Sequence, residues 1–371
     1  MKKLIFRKFA VDTLSFFLIM CLTIGLIVWT LQAVNYFDYV TQDGHGLKTY
    51  FFYTFLNFPK IIHRIIPFMF FISLFYMIVN YENRNELLIF WTSGVSKIDF
   101  VNKVLFFSIF LTIFQILIGG FFSPFSQYKG REILKNSNID FFTSLIKEGK
   151  FLNVVDGLTI FINTKNQDGS YSNIFIDDSS KVVSRMIYAK SGNLYDNDNT
   201  KIFKLFEGEV INKNETKINV FKFDQIDFNL NEYSTSTILV PKIQELKSKD
   251  LFVCLQDLYN NKSVENEFDF RCEKSLQDEI YQEMFKRFYK PLYIPVIALL
   301  CCYLIIFSKN NIRYEKNKKI IFFMTFITIV VSEATLRYSS VSIASSIIYL
   351  IVPWMLFVIV YLFLNKKIKN V

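Results

Sequence analysis

Six long apolar segments limit what this chain can fold into more than any other feature of its sequence. They cover residues 11–33, 61–79, 101–122, 292–307, 320–336 and 342–364. A helix needs about 20 predominantly apolar residues to cross the hydrocarbon core of a bilayer. The segments therefore predict six transmembrane helices, three before and three after a long middle region. With 43 Phe among 371 residues and 52% hydrophobic residues, the composition excludes disordered, collagen-like and coiled-coil chains.

The distribution of charge predicts how these helices are oriented. Lys and Arg are concentrated before the first span, between the fourth and fifth spans, and after the sixth. Since short cytoplasmic loops carry an excess of Lys and Arg, we expect both termini to be cytoplasmic and residues 124–285 to be extracytoplasmic. This middle region holds 20 Lys/Arg and 25 Asp/Glu, so its net charge is −5 and the rest of the chain carries +14. The total of +9 thus indicates membrane topology and not a nucleic-acid-binding surface.

The middle region has the sequence pattern of an all-β domain. Short segments of alternating polar and apolar residues are separated by turn residues, among them Ser191-Gly192 and Glu207-Gly208. Short strands separated by such turn residues predict an antiparallel sandwich or jelly roll. The predicted fold is therefore a membrane α-helical protein, six spans in a 3+3 arrangement, with an inserted periplasmic all-β jelly-roll-like domain. The predicted parts are spans one to three (residues 1–123), the β domain (124–242), a helical connector (243–285) and spans four to six (286–371).

The sequence contains no motif that binds a nucleotide or performs catalysis. A P-loop, a GxSxG elbow and an HExxH helix are all absent, and the two His residues lie far apart in the sequence. Of the five Cys residues, only Cys254 and Cys272 are placed to pair in a disulfide. We therefore expect a protein without a catalytic residue, cofactor or metal of its own.

The loop between the second and third spans, residues 81–97, carries the most informative local pattern. Acidic and amide residues are followed by five apolar residues and then by Gly94. This order predicts a short amphipathic helix in the cytoplasmic interface, ended by the glycine. Two interpretations are open: an interfacial anchor, or a coupling helix that inserts into a groove on a cytoplasmic partner. Glu82 and Glu86 are four residues apart, so we expect them on one helix face, where they can pair with basic residues of that partner.

Polar and ionisable residues near the outer ends of the spans are the candidates for substrate contact. They are Gln32, Asn35, Lys60, Arg64 and Arg337. Ionisable residues at membrane depth are costly and often mark a substrate path, although a structural ion pair or a snorkelling side chain is the alternative. Glu333 precedes Arg337 by four residues, which predicts that the two side chains neutralise each other.

Several short motifs follow one another along the chain in a recognisable order. They are Phe55-Leu56-Asn57-Phe58-Pro59 with Ile65-Ile66-Pro67, Asn85-Glu86-Leu87 with Ser93-Gly94-Val95-Ser96, Pro124, residues 149–161, and the set Glu283, Arg287 and Pro291. Taken together, they resemble the LptF/LptG family of lipopolysaccharide export permeases, and residues 149–161 are closer to the LptF type. The resemblance covers nearly the whole chain, in which residues 259–271 look like an insertion.

This resemblance implies a multi-pass transport subunit of the bacterial inner membrane. In the family an LptF subunit pairs with an LptG subunit, and two copies of the cytoplasmic ATPase LptB drive them with ATP and Mg. By that analogy Glu86 docks into the ATPase groove, supported by the apolar residues Leu87 to Trp91. Lipopolysaccharide enters between span one of one subunit and span five of the other. The β domain stacks edge to edge with a periplasmic LptC-like protein, for which an exposed sheet edge is the physical means.

One departure from the family concerns charge at the outer end of span one. Family members often carry Lys or Arg there, whereas this chain has Gln32 and Asn35. Either Lys60, Arg64 and Arg337 supply the charge that meets substrate phosphates, or the substrate is less phosphorylated. Two other functions stay open. One is a mechanotransmission-type ABC permease for lipoprotein release or efflux, which usually has four spans. The other is a membrane-anchored periplasmic scaffold or sensor without an ATPase.

Overall fold

The computed structural model confirms the predicted class, six candidate membrane helices with an inserted β domain. The structure describes residues 2–37, 46–136, 148–155, 157–166, 169–179, 184–197, 200–213, 218–229, 242–259, 272 and 274–369. In this part of the chain, six helical segments are long and apolar enough to cross a membrane. They are Lys2–Tyr36, Leu47–Asn83, Lys97–Leu134, Lys274–Ile306, Tyr314–Tyr338 and Ala344–Lys369.

The chain divides into two compact units. The helical unit comprises Met1–Asn35, Phe52–Gly130 and Pro241–Val371, and the β unit comprises Tyr36–Phe51 and Arg131–Val240. The segment that the sequence predicts as a connector, residues 243–285, therefore belongs to the helical unit by its contacts. The predicted insertion at 259–271 lies, apart from Tyr259, outside the described residues.

The helices follow the apolar segments but extend beyond them. In chain order they are α1 (Lys2–Tyr36), α2 (Leu47–Leu56), α3 (Phe58–Asn83), α4 (Glu86–Thr92), α5 (Lys97–Leu117), α6 (Ser123–Asn136), α7 (Ser248–Tyr259), α8 (Gln277–Met284), α9 (Tyr293–Cys302), α10 (Tyr314–Tyr338) and α11 (Ile343–Lys369). Spans three and four each contain one π-helical turn, Ile118–Phe122 and Phe285–Tyr289. Pro59 lies in the first turn of α3, where its missing N–H removes no helical hydrogen bond.

Helix α9 lies at the centre of the helical unit. It packs against α3, α5, α10 and α11, and this is possible because its ten residues, YIPVIALLCC, carry no charge. A helix that is apolar on all sides is one that other helices surround. Spans one and six are only 17% buried, against 78% for span four. Their apolar outer faces are left for lipid or for a second subunit.

The β unit contains one antiparallel sheet of six described strands. Each strand pairs with the next one along the chain, in the order β1-β2-β3-β4-β5-β6. The bounds are β1 (Lys150–Val155), β2 (Leu158–Lys165), β3 (Tyr171–Asp178), β4 (Ser184–Asn197), β5 (Thr200–Lys213) and β6 (Ile218–Asn229). Their inward residues form one apolar core. This next-neighbour order, among the described strands, lacks the crossovers of a Greek-key jelly roll.

A crease runs across strands β3, β4 and β5. Asn173 and Glu207 have positive φ angles of 51° and 49°. Both face Lys190, and the strand pairing skips all three residues without changing register. On β3, Tyr171 and Ile174 are three residues apart and yet face the same core, so the strand exchanges its inward and outward faces at Asn173. Strands that bend in this way form the corners of β domains, so a single sheet can turn over its own core.

The crease explains why two predicted turns are wrong. Gly192 lies inside β4 and Gly208 lies inside β5. A Cβ atom on Gly192 would come within 2.7 Å of the Ile174 side chain, and one on Gly208 within 2.1 Å of the Tyr188 carbonyl oxygen. These glycines permit the close approach of neighbouring strands at the crease and do not mark chain reversals.

Candidate functional site

The two ends of the helical unit carry different sets of functional candidates. The coupling end contains α4, within residues 81–97, together with the N-terminus of α1. The connector end contains α7, α8 and the adjoining ends of spans two to five.

The chain reaches α4 through a sharp bend. Helix α3 ends at Asn83, and Asn85 adopts a left-handed conformation with φ 60° before α4 begins at Glu86. Asn tolerates this conformation better than other non-glycine residues. The prediction that Glu82 and Glu86 share one helix face is therefore wrong. Glu82 ends span two, and its Oε1 accepts a hydrogen bond from the Lys309 backbone N–H at 2.8 Å, which fixes the loop between spans four and five.

Helix α4 has one face fixed in the protein and one face exposed. Leu87 and Phe90 are each 1% exposed, and the Phe90 ring lies 5.4 Å from that of Phe100 at a T-shaped angle. By contrast, Leu88 and Ile89 are 58% and 52% exposed. The predicted amphipathic helix thus exists, but its apolar residues point in two directions. Such a helix both anchors itself to the bundle and presents apolar surface to a partner or to the membrane interface.

Glu86 lies at the start of α4, where the positive end of the helix dipole stabilises a negative charge. Its carboxylate is 3.5 Å from Lys8 Nζ and 4.0 Å from Arg84. Both basic side chains are about two-thirds exposed, at 66% and 67%. Long, solvent-exposed ion pairs of this kind contribute little to stability, about 0–1 kcal/mol. Glu86 can therefore exchange these contacts for a basic residue of a partner.

Gly94 ends α4 as predicted. Its φ of +74° is left-handed, and the Val95 N–H donates back to the Phe90 carbonyl at 3.0 Å, which is the hydrogen bond of a Schellman cap. Lys2 Nζ donates to the Gly94 carbonyl at 2.7 Å. The end of α4 is thereby tied to the first turn of α1. Trp91 is the last of the apolar residues that were predicted to support Glu86. It is partly buried, and its ring lies 6.1 Å from the Phe100 ring.

At the connector end, four cations form what we call the basic cluster: Lys60, Arg64, Lys286 and Lys290. Lys60 interacts electrostatically with Arg64 and Lys286, and Lys290 interacts with Lys286 and Arg64. Only Lys60 and Arg64 were predicted. Three carboxylates, Glu245, Glu283 and Glu333, act on the same cations. Lys60 and Arg64, which form no ion pair with the described residues, are therefore the members best placed to attract an anionic group.

Glu333 does not neutralise Arg337, which corrects that prediction. Its carboxylate forms an ion pair with Lys290 of the basic cluster. Glu333 is one turn before Arg337 on α10, but the helix directs it toward span four. Within the described residues Arg337 makes no ion pair, and only its backbone carbonyl is bound, by the Gln282 side chain at 3.2 Å. Its guanidinium is left exposed.

The remaining two predicted candidates lie at the end of α1. Gln32 is partly buried and its Oε1 has no hydrogen-bond partner in the described part of the chain. Asn35 is exposed. No hydrogen bond or ion pair among the described residues joins either side chain to the basic cluster. Among the described residues, therefore, only Lys60 and Arg64 of the predicted candidates interact with each other.

Arg287 connects the connector to span four. It is 1% exposed and donates to the Glu283 carboxylate at 3.1 Å, to the Ser248 hydroxyl at 2.9 Å and to the Leu246 carbonyl at 3.0 Å. Two further carbonyls, of residues 243 and 244, accept from its Nη2 atom. Ser248 in turn donates to the Gly120 carbonyl in the π-turn of span three. A buried guanidinium needs such complete pairing, because an unpaired charge in the interior is destabilising by several kcal/mol.

The two π-turns lie against each other and against span two. A Cβ atom on Gly119 would meet the His63 ring at 2.1 Å, and one on Gly120 would meet the Phe288 ring at 3.2 Å. Gln115 donates to the His63 carbonyl at 3.1 Å. His63 is thus a packing residue at a tight helix crossing. π-turns in otherwise regular helices are often found at functional sites, where they interrupt the helix without breaking it.

Lys286 and Lys290 are the functional candidates that the sequence reasoning missed. The signal was present, because these cations and Arg287 begin a span on the side where the charge bias predicts few basic residues. Because a cation on this side of the membrane is contrary to the charge bias, we expect it to have a specific partner. Here Lys286 Nζ forms an ion pair with the Glu283 carboxylate at 2.7 Å, and Lys290 forms one with Glu333.

Two comparisons with known proteins bear on this arrangement. The family described as "Lipopolysaccharide export system permease LptF/LptG" matches residues 7–367. An uncharacterized protein of Rickettsia prowazekii (strain Madrid E) is 24% identical over 207 residues, which make up 55% of this chain and 57% of that protein. This chain thus aligns with little more than half the length of that relative.

Proposed function

The chain belongs to the LptF/LptG family of lipopolysaccharide export permeases, and from this premise we propose that it is one of two paired permease subunits in an ATP-driven transporter. In this proposal the spans extract lipopolysaccharide from the inner membrane and the β unit passes it to a periplasmic β-bridge. The expected partners are an LptG-like subunit, a dimeric LptB-like ATPase and an LptC-like periplasmic protein. ATP and Mg are expected in the ATPase and not in this chain.

The two-sided packing of α4 is the observation that carries the ATPase part of the proposal. Leu87 and Phe90 hold the helix to the bundle, so a displacement of α4 is passed on to the spans. Leu88 and Ile89 project outward as apolar anchors, and Glu86 is held only by exposed, exchangeable ion pairs. An exposed apolar pair next to a partly buried carboxylate suits a groove lined with apolar and basic residues.

The Cys254–Cys272 disulfide supports a periplasmic position for the connector. The two Cα atoms are 5.8 Å apart and the sulfurs are bonded. Disulfides persist in oxidising compartments such as the bacterial periplasm and are rare in the cytoplasm. The other three cysteines, Cys21, Cys301 and Cys302, are buried in spans and are free. Together with the charge bias, this supports cytoplasmic termini and a periplasmic β unit.

The basic cluster is the expected contact for the anionic groups of the substrate. Lipopolysaccharide carries phosphates on its lipid portion, and Lys and Arg bind phosphate through charge-assisted hydrogen bonds. Lys60 and Arg64 of span two supply this charge, whereas Lys286 and Lys290 of span four are paired with Glu283 and Glu333 and position the cluster. Arg337, whose guanidinium forms no ion pair with the described residues, is proposed as a further contact from span five. Gln32 and Asn35 are proposed as neutral contacts from span one.

The sheet offers edges for a partner in the β-bridge. Among the described strands β1 and β6 lie at the two edges, and β6 is 12 residues long with most of its side chains exposed. An exposed edge presents unpaired backbone N–H and C=O groups that a strand of another protein can extend. This geometry supports stacking with an LptC-like protein. The six candidate spans also favour this assignment over the four-span mechanotransmission permeases.

Substituting Glu86→Arg tests the ATPase part of the proposal. The new cation would be repelled by Lys8, Arg84 and the basic residues expected in the groove. We expect the ATPase to bind at least about tenfold more weakly, which corresponds to about 1.4 kcal/mol. The measurement is the yield of ATPase that co-purifies with the full-length subunit from membranes. The substitution touches only exposed ion pairs, so insertion of the protein into the membrane should not change.

Glu315→Arg is the matched control for this experiment. Glu315 also lies in the first turn of a helix and pairs with one lysine, the partly buried Lys318, at 2.8 Å. We expect this variant to retain the ATPase at the wild-type yield. Co-purification of the ATPase with the Glu86→Arg variant at the wild-type yield would contradict docking through α4. A wild-type protein that retains no ATPase at all would favour the scaffold or sensor function instead.

A further inference from the structure

A crevice of about 560 Å³ opens between the first turns of α1 and α5, and neither the transport path nor the ATPase contact uses it. Its rim carries Lys2, Lys3, Arg7 and Lys103 against a single carboxylate, Asp99. Its deeper wall is apolar and aromatic. The wall residues are Phe6, Phe9, Ala10, Val104, Phe106, Phe107 and Phe110.

Polarity changes in the same direction along both helices. On α1 the cations at positions 2, 3 and 7 are followed by Ala10 and Thr13, and on α5 Lys103 is followed by Phe106, Phe107 and Phe110. With a rise of 1.5 Å per residue, Lys103 and Phe110 are about 10 Å apart along the helix. Both helices belong to candidate membrane spans. The crevice therefore has a basic mouth at the depth of lipid headgroups and an apolar floor at the depth of acyl chains.

Not all cations at the mouth have a hydrogen-bond or ion-pair partner among the described residues. Lys2 donates to the Gly94 carbonyl, and Asp99 interacts electrostatically with Lys2 and Lys103 while it accepts a hydrogen bond from Ser96 at 2.6 Å. Lys3 and Arg7 have no hydrogen bond or ion pair within the described residues. The mouth thus keeps positive charge that no carboxylate of the described chain balances. An anion of the surrounding membrane complements it.

The apolar wall is open to the same side. Phe106 is 75% exposed and Phe110 is 61% exposed, so an acyl chain can lie against both rings. Phe9 is buried against Phe100, at 5.1 Å between ring centroids, and the small side chain of Ala10 on the next position leaves the space that forms the crevice. A soluble anion would leave this aromatic wall unused. The wall and the mouth together suit one amphiphile with an anionic head.

We propose that this crevice binds one anionic glycerophospholipid of the membrane leaflet at the coupling end. The phosphate lies among Lys3, Arg7 and Lys103, and an acyl chain lies along Phe106 and Phe110. Because Lys2 of the same mouth donates to the Gly94 carbonyl and Val95 lines the crevice, the bound lipid lies next to the segment that ends α4. The site is distinct from the basic cluster, and it does not depend on the proposed ATPase.

The test is a lipid titration of the full-length protein in a neutral detergent, followed by native mass spectrometry. Phosphatidylglycerol and zwitterionic phosphatidylethanolamine with the same acyl chains are compared. We expect one phosphatidylglycerol molecule to bind at least about tenfold more tightly than phosphatidylethanolamine. Removing two cations in the double variant Lys3→Gln/Arg7→Gln should weaken phosphatidylglycerol binding about 30-fold, since each basic residue near an anionic lipid contributes about 1 kcal/mol. Lys316→Gln/Lys319→Gln, which removes two exposed cations from the start of α10, should bind like the wild type.

A second variant tests the apolar part of the crevice. Ala10→Leu keeps every cation but fills the space beside Phe9, and it should also weaken phosphatidylglycerol binding. Equal binding of the two lipids by the wild-type protein would overturn the proposal whatever the variants do. Displacement of the lipid by glycerol phosphate alone would show a soluble-anion site instead. Unchanged binding by both Ala10→Leu and Lys3→Gln/Arg7→Gln would place the lipid elsewhere.

Discussion

Arg287 shows how a single buried charge can join two parts of this protein. Its guanidinium binds Glu283 on its own span and the hydroxyl and carbonyl groups of residues 243–248 in the connector. In the sequence, Arg287 and Glu283 were part of a motif that resembles the LptF/LptG family, without a role for either. The role could not be predicted, because most of the acceptors are backbone carbonyls, which are the same for every residue type. These hydrogen bonds tie residues 243–248 of the connector to span four.

The disulfide gives a prediction at the same scale. In the denatured full-length protein a maleimide should label three thiols, Cys21, Cys301 and Cys302, and should label five after reduction. The difference is expected because Cys254 and Cys272 are bonded and because the connector's proposed periplasmic position would keep the bond oxidised. The measurement is the mass increase of protein isolated from membranes under thiol-blocking conditions. Five labelled thiols without a reductant would contradict both the bond and the periplasmic side of the connector.

At the scale of elements, the sequence predicted long helices well and interruptions poorly. The six spans were predictable because a run of about 20 apolar residues has few stable structures other than a membrane-spanning helix. The bend at Asn85 was not, because it lies in a run of polar residues, 82–86, that contains no Gly or Pro to mark a break, and only the φ angle of one residue reveals it. In the β unit, Gly192 and Gly208 carry the local composition of turns. They lie inside strands because close packing across the crease, which is a long-range property, decides their role.

Gly208→Ala provides a test of the crease. The added Cβ would clash with the Tyr188 carbonyl at 2.1 Å, and overpacking of this kind destabilises by about 1–3 kcal/mol. The β unit of the full-length protein should therefore become protease-sensitive at a lower urea concentration than in the wild type. Gly46→Ala is the matched control, because no atom lies within 4 Å of its added Cβ. If both variants resist the protease equally, strands β4 and β5 do not approach as closely as described.

At the scale of the whole molecule, we propose that function is divided between the two ends of the helical unit and the β unit. In this proposal the coupling end presents α4 to a partner, the connector end carries the basic cluster, and the sheet offers its edges. The charge bias and the order of spans indicate the same division. They did not predict which cations meet, because Lys286, Lys290 and Glu333 come together only through the packing of spans two, four and five. The proposed function gives these parts a common task, the export of lipopolysaccharide.

The most direct test of that task is ATP-dependent transfer of lipopolysaccharide from proteoliposomes that contain the full-length subunit, its partner permease and the ATPase. The amount of lipopolysaccharide that reaches a soluble periplasmic acceptor is measured with and without ATP. We predict that the wild-type subunit supports transfer only with ATP, and that Glu86→Arg, inserted to the same level, lowers transfer to the amount seen without ATP. Equal transfer by the wild type with and without ATP, or by the Glu86→Arg variant and the wild type, would contradict the account.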